Sequence, residues 1–221
     1  MKTVAMIPIK LKNERVPNKN IKEFSDGTPL INFIQKVCLS AKKVDEVYVY
    51  CSSSDVEKYL LEGVKFLPRP EYLDGDGCNC NDIIDEFMRV VDADIYVASH
   101  ATSPFTKPES IDICIDKVSS GHFDSAFLAK RLQEFLWQDG KPLNFDPQNF
   151  PRTQDLKPIY TESSGAFVFS KETFTKYKRR VGVKIYIHEV DHFEAIDIDY
   201  PIDFDIANAI YMGILRNENT N

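Results

Sequence analysis

The sequence predicts an α/β protein with a three-layer, Rossmann-like fold, a largely parallel sheet between two layers of helices. Three observations carry this expectation. Strand-like and helix-like stretches alternate from Thr3 to Ala129, helices open at Pro29, Pro108 and Pro201, and the loop after the first strand is built from cations instead of glycines. Alternation of this kind is the mark of parallel strands joined by helical crossovers.

The first strand is Thr3 to Ile9, and its loop reads IPIKLKNERVPNKN from Ile7 to Asn20. Thr28 is expected to cap a helix opening at Pro29, where a missing N–H costs nothing, and running through Leu30, Ile31, Ile34, Val37 and Cys38. Glu46 to Cys51 reads as the second strand, and the serines and Asp55 behind it start a short helix. Val64 to Leu67 is a third, short strand, followed by a helix at Asn81 to Val91 and a strand at Asp94 to Ser99. Pro108 to Ser119 reads as a helix opened by its proline, and Ser125 to Ala129 as a strand.

From Lys130 to Pro158 the alternation lapses into aromatic residues, prolines and turn formers, with a hairpin around Asp139–Gly140. So long an irregular segment in a compact domain is usually functional or lies at an interface. Further strands are expected at Gly165 to Ser170, Val183 to His188 and Glu194 to Ile198, then a last helix from Pro201 and a polar tail at Asn217 to Asn221.

A chain of 221 residues, 43% hydrophobic and 28% charged, suits a single domain over residues 1–221 with a sizeable core. A net charge of −7 argues against a nucleic-acid partner, so a cationic loop here is a local device aimed at a small polyanion. The apolar stretch from Met1 to Ile9 is too short for a secretory signal, and no run reaches the roughly 20 apolar residues of a membrane span, so a cytoplasmic location and no membrane partner are expected. Five scattered cysteines read as reduced thiols; Cys78 and Cys80 have no second pair at zinc-finger spacing.

Ligands of such sheets bind beyond the carboxyl ends of the strands, which makes Lys10 to Asn20, Ser52 to Asp55, Pro68 to Asn79 and His100 to Thr106 the functional edge. Near the other end of the chain, AIDID (Ala195 to Asp199) alternates like a strand. Period two would set Asp197 and Asp199 on one face, roughly 6–7 Å apart, with Ile196 and Ile198 toward the core. Two acids so placed repel unless a cation sits between them, and Mg²⁺ suits a site of one or two carboxylates completed by water and phosphate. HEVDH (His188 to His192) matches the zinc-protease string H-E-x-x-H, but that signature needs a helix and the preceding residues alternate like a strand, so zinc is not expected. His100 follows a strand on the ligand edge, while Arg69 and Arg152 sit beside prolines as candidate phosphate or carboxylate clamps.

Taken in order, IPIKLKNERVPNKN, DGTPLI, LPRPEYL, ATSPF, PRTQDLKPIY, SSGAFVF and AIDIDYPIDFDIA resemble the acylneuraminate cytidylyltransferases, the CMP-sialic acid and CMP-KDO synthetases, from Val4 to Ala209. The resemblance implies a nucleotidyltransferase fold with a mostly parallel, mixed sheet, and a reaction of CTP with a 2-keto sugar acid to give a CMP-sugar and pyrophosphate. It also implies magnesium and a homodimer built partly from the excursion at residues 130–158. Lys10 takes the position of an arginine that contacts the triphosphate, Arg15 and Lys19 match basic positions, and Asn20 matches a K-N ending. Lys10, Arg15 and Lys19 are accordingly the expected catalytic cations. Asn13, Asn20, Arg69 and Asp76 join those three in binding the nucleotide. On the sugar side the expected contacts are His100, Thr102, Ser103, Arg152 and Gln154, and Asp197 and Asp199 fall on the metal-binding D-x-D pair.

Departures from that pattern gather on the sugar side. His100 replaces a glutamine, Thr106 and Thr153 replace arginines, and TESS before Gly165 lacks an arginine found in some sialic acid synthetases, which leaves the sugar acid open. Two other readings use the same residues: a glycosyltransferase holding a metal–nucleotide-sugar complex on its D-x-D pair, and a nucleotide-binding protein without catalysis. The first gives the cationic loop no task, because its diphosphate arrives already joined to sugar.

Overall fold

A computed structural model describes residues 1–12 and 16–215. Its centre is a seven-stranded sheet built from β1 (Thr3–Ile9), β2 (Glu46–Cys51), β3 (Val64–Pro68), β4 (Ile95–Ala98), β5 (Ser125–Leu132), β8 (Ile159–Ser170) and β9 (Ile185–Val190). A separate hairpin pairs β6 (Trp137–Gln138) with β7 (Lys141–Pro142), turning at Asp139 and Gly140, which both have positive φ. The strand order is β3-β2-β1-β4-β8-β5-β9; β8 runs antiparallel to β4 and β5, and the other pairings are parallel. The sheet is thus mixed and mostly parallel, as expected.

Alternation along the strands explains the three layers. Ala5, Ile7 and Ile9 of β1 point to one face with Val47, Val49, Val97 and Leu128, and there they meet α1 (Leu30–Ser40) and α3 (Pro108–Ser119). Val4 and Met6 point the other way with Tyr50, Tyr96, Phe127 and Phe169, against α2 (Cys80–Val90) and α4 (Lys171–Tyr177). Both faces of a sheet covered by helices require strands apolar on both sides. A third cluster, with Phe24, Leu30, Phe105, Ile198 and Phe204, seats α5 (Pro201–Ile210) beside the carboxyl edge.

Four local expectations need correction. Thr28 does not cap α1: its carbonyl accepts from Phe24 N–H and its own N–H donates to Asp26 Oδ1, which closes a loop and leaves Pro29 at the cap position. The helix expected from Asn81 begins at Cys80, because Asn79 and Asp82 form a reciprocal capping box. Strands β5 and β8 run well past the expected ends, pairing Lys130–Leu132 with Ile159–Thr161 to form an arm that carries the excursion away from the sheet. Finally, Glu194 to Ile198 is not a strand. The Asp191 carboxylate accepts from the amides of Phe193 and Glu194, and Ala195 N–H donates to Asp191 O, so the chain is wound into turns before it reaches the acids.

Candidate active site

Strand β1 has β2 on one side and β4 on the other, and the carboxyl ends of all three face the same edge. A cleft of about 370 Å³ opens there, bounded by Lys10, Lys19 and Asn20 after β1, Arg69 and Asp76 after β3, and His100 after β4. It adjoins a larger recess of about 890 Å³ that shares Lys10 and Asp74 and reaches Lys12 and the serines after β2. Five of the seven residues expected to bind nucleotide thus meet around one space. The other two, Asn13 and Arg15, lie outside the described residues.

The cations of this space are held by backbone and carboxylate oxygens. Lys10 Nζ donates to Asp74 O at 2.7 Å, and the buried Asn20 side chain donates back to Lys10 O at 2.8 Å, which fixes the mouth of the loop against its exit. The Arg69 guanidinium is buried in an ion pair with the Asp74 carboxylate, whose second oxygen accepts from Ser52 Oγ at 2.5 Å. Asp74 is the acid that organises this corner, while Asp76, also on the cleft, is exposed. Nothing local separates the two acids of LDGDG; pairing with Arg69 distinguishes Asp74, and the sequence analysis missed it. Lys19 crosses to the other wall, where Nζ donates to Ile198 O at 2.5 Å and stands 3.7 Å from Asp199 Oδ1.

That contact brings the acidic segment to the cleft without a strand ladder. Ile198 N–H donates to Thr102 O at 2.9 Å, and the Ile198 side chain is fully buried in the third cluster with Ile196 packed against it, so both isoleucines face inward as expected. The carboxylates are positioned separately. Asp197 Oδ2 accepts from Ser164 Oγ at 3.0 Å, and its buried Oδ1 has no hydrogen-bond partner among the described residues. Asp199 is half-exposed beside Lys19. Among the described residues no group of three or more histidine, cysteine or acidic side chains forms a metal cage. A buried carboxylate oxygen without a partner among the described residues, two positions along the chain from a second acid, fits Mg²⁺, which takes one or two protein carboxylates and keeps its other positions for water and phosphate. HEVDH offers nothing comparable: His188 lies within β9 and His192 beyond its end.

The sugar-side expectations divide. His100 and Thr102 line the cleft. Burial, helped by the charges of Arg180 and Lys19, lowers the His100 pKa from 6.5 to about 4, so its imidazole is neutral at ordinary pH. Ser103 is fully buried inside the ATSPF turn and does not line the cleft. That turn is pinned to β8 at Gly165, where a Cβ would stand 2.3 Å from Thr106 Oγ1. Arg152 and Gln154 are exposed on the excursion, where Arg152 pairs with Asp155 three residues on, and neither lines the cleft. Their flanking prolines hold a surface turn that the β5–β8 arm has carried away from the sheet.

A seven-stranded, mostly parallel sheet with a cation-lined crevice at its carboxyl edge is the fold of the nucleotidyltransferases. The structure of CMP:2-keto-3-deoxy-manno-octonic acid synthetase complexed with CTP superposes with a TM-score of 0.73 at 18% identity, covering 96% of this chain and 99% of that one. A 4-diphosphocytidyl-2C-methyl-D-erythritol synthase from Anaerococcus prevotii gives 0.65 at 13% identity, covering 96% of each. Within that class the chain belongs to the cytidylyltransferase family, whose model matches residues 4–219. It is 29% identical over 213 residues to the N-acylneuraminate cytidylyltransferase of Oncorhynchus mykiss, covering 92% of this chain and 49% of that one, so it spans about half that relative's length. It is 28% identical over 214 residues to the 3-deoxy-manno-octulosonate cytidylyltransferase of Chlorobium limicola, covering 89% and 78%, and 24% identical over 186 residues to a pseudaminic acid cytidylyltransferase of Campylobacter jejuni, covering 76% and 78%. Membership of this family takes the place of the glycosyltransferase reading.

Proposed function

We propose that this chain transfers CMP from CTP to the 2-hydroxyl of a 2-keto sugar acid, such as a nonulosonic acid or 3-deoxy-manno-octulosonate, and releases pyrophosphate. The carrying observation is the Lys19 bridge, which ties a cationic first loop to the acidic segment across one cleft. The relatives act on acids of this kind by name, the cleft gathers cations suited to a triphosphate, and Lys19 on its wall reaches Asp199 of the acidic segment.

In this reading the sugar oxygen attacks the α-phosphorus in line, the bond from phosphorus to the β-phosphate oxygen breaks, and the hydroxyl proton leaves to solvent. Lys10 and Lys19, with Arg15 from the same loop, stabilise the charge that grows on the departing pyrophosphate, and Asn20 holds the loop in shape through Lys10 O. Asp197 and Asp199 would hold Mg²⁺, which supplies Lewis-acid polarisation of the phosphate and lowers the pKa of the attacking hydroxyl. His100, neutral beside the cleft, can hydrogen-bond a sugar hydroxyl without adding charge.

No helix among the described residues is long and apolar enough to cross a membrane, and the reading places the protein in the cytoplasm. A homodimer is part of the same reading. Phe135, Trp137, Phe145 and Phe150 pack edge to face and tilted on one another at the tip of the β5–β8 arm with ring centroids 4.8–5.3 Å apart, yet Trp137 is 58% and Phe150 61% exposed. An aromatic group so open is suited to burial against a second copy.

The test is pyrophosphate release with magnesium, crossing CTP, UTP, ATP and GTP against N-acetylneuraminic acid, pseudaminic acid and 3-deoxy-manno-octulosonate. Release with CTP and one acid is expected. Release from CTP without any acid, or with a neutral sugar as acceptor, would overturn the reading.

A further inference from the structure

Arg180 has no task in the mechanism above, although the fold takes trouble to place it. The turn that carries it follows α4 and is clamped on both sides. Lys178 ends the helix at a φ of 53°, and beyond Arg180 the amides of Val183 and Lys184 donate to Asp124 Oδ2 at 2.9 and 3.0 Å. Burial pushes the Asp124 carboxyl up, but these donors outweigh it and hold the group below its ordinary pKa. Gly182 permits the close approach, since a Cβ there would stand 2.3 Å from Asp124 Oδ1. The Arg180 N–H itself donates to Asn81 Oδ1 at 3.1 Å, which joins the turn to the first turn of α2.

From this base the guanidinium carbon lies 3.4 Å from the Phe167 ring centroid, and NH1 donates to Cys80 Sγ at 3.2 Å. Cys80 is part of the cleft wall. The acid facing Arg180 is Glu162 at 3.6 Å, half-exposed on β8 two residues before the serine that holds Asp197. A thiol is a weak acceptor, and 3.6 Å is too long for a bidentate fork. The guanidinium is therefore held in place by stacking and by its backbone while its strong donors are poorly used. Its charge also reaches His100 on the cleft.

The position distinguishes Arg180 from the other cations. Lys10 and Arg69 follow β1 and β3, whereas Arg180 stacks on β8, across β4 from them in the strand order. The triphosphate and the sugar acid need separate anion sites, because two anions on one set of cations would repel each other and compete. We propose that Arg180 binds the carboxylate of the sugar acid, with Glu162 as its provisional partner until substrate enters. This rests on the proposed function and adds a specificity-determining residue to it.

The experiment compares the sugar acid that supports pyrophosphate release with its carboxamide, in the wild type, Arg180→Met and Glu162→Gln. Methionine keeps an unbranched stem over Phe167 and removes the charge. Losing a charged hydrogen-bonded pair is expected to lower kcat/KM for the acid about tenfold to hundredfold, with the KM for CTP within about twofold of wild type. The carboxamide should be poorer than the acid for the wild type by a similar factor, and no poorer for Arg180→Met. Glu162→Gln, which removes the competing carboxylate, should lower the KM for the acid. A carboxamide penalty that survives undiminished in Arg180→Met, or a KM for the acid that Glu162→Gln leaves unchanged or raises, overturns the inference. Absence of pyrophosphate release by the wild type with all three acids of the panel overturns it together with the reading beneath it.

Discussion

Ser164 Oγ donates to Asp197 Oδ2 at 3.0 Å, while Oδ1 of the same carboxylate is buried with no hydrogen-bond partner among the described residues. An unpaired buried oxygen on an ionised group is costly and is normally answered by a cation. Asparagine at 197 keeps the shape and removes the charge. Asp197→Asn is expected to lower turnover by at least about 10²-fold, to weaken Mn²⁺ binding followed by electron paramagnetic resonance, and to leave the circular dichroism spectrum unchanged. Asp199→Asn should behave in the same way. Near-normal turnover in both variants would remove the metal assignment.

The first loop can be tested against a lysine elsewhere. Lys10 Nζ is anchored on Asp74 O at the edge of the cleft, whereas Lys42 is exposed beyond the end of α1. Lys10→Ala is expected to cut kcat/KM for CTP about 10²–10³-fold, the usual effect of deleting a preorganised donor aimed at developing charge. Lys42→Ala should stay within about twofold. Equal losses in steady-state assays would return the loop to an ordinary solvated surface.

Strands and helices were legible where burial follows a simple period. The bounds of β1, β2 and α3 fall on the residues expected from pattern alone, since the two strands are short apolar runs buried on both faces and the apolar positions of α3 repeat on one helical face. The arm formed by β5 and β8 was hidden because Lys130–Leu132 and Tyr160–Glu162 leave the core, so the burial that marks a strand is missing there while backbone pairing continues. The opposite error arose at AIDID. Ile196 and Ile198 alternate because both pack into the α5 cluster, and alternating burial needs only a local inward side, not a ladder. The residues that gather on the cleft, Lys10, Lys19, Asn20, Arg69 and Asp76, were legible from the loops that follow the parallel strands. The contacts of Ser164, Asp74 and Arg180 were not, because they depend on partners from distant strands or on a choice between neighbouring acids that no local pattern makes.

His100 gives a pH signature with a definite sign. Burial holds its folded pKa at about 4 against an ordinary 6.5, so the unfolded chain takes up the proton first as pH falls. Its contribution is intact above pH 6.5 and is lost as pH drops from there toward about 4. Relative to His100→Asn, the wild type should lose stability across that window and not above it, as read from urea midpoints at successive pH values. A wild-type-minus-variant difference that stays flat down to pH 4 would mean that the imidazole is not buried neutral.

Gly165 is the point where β8 touches the ATSPF turn. An added Cβ would meet Thr106 Oγ1 at 2.3 Å and Leu128 Cδ1 at 3.2 Å. Overpacking at such a contact typically costs about 1–3 kcal/mol, so Gly165→Ala should lower the denaturation midpoint. The clash is chiefly with one side chain, which makes the effect non-additive. Thr106→Ala alone should also destabilise, through loss of its bond to Ser103 O at 3.1 Å, yet the double variant should be more stable than the sum of the two losses. Strict additivity would show that the strand and the turn do not meet here.

The aromatic tip of the arm supplies the last prediction. Phe150 packs edge to face on Phe135 at 4.8 Å and tilted on Phe145 at 5.0 Å while leaving 61% of its surface exposed, and Trp137 beside them is open to a similar degree. If a second copy covers this face, a charge at 150 would have to be desolvated on association, which costs several kcal/mol unless a partner charge meets it. Phe150→Glu is therefore expected to shift the protein from dimer to monomer in analytical ultracentrifugation while preserving its circular dichroism. The sheet and its cleft lie apart from the tip, so CTP binding by the monomeric variant should persist. A variant that sediments as the wild type does, in whichever state, would show that the tip does not form the interface.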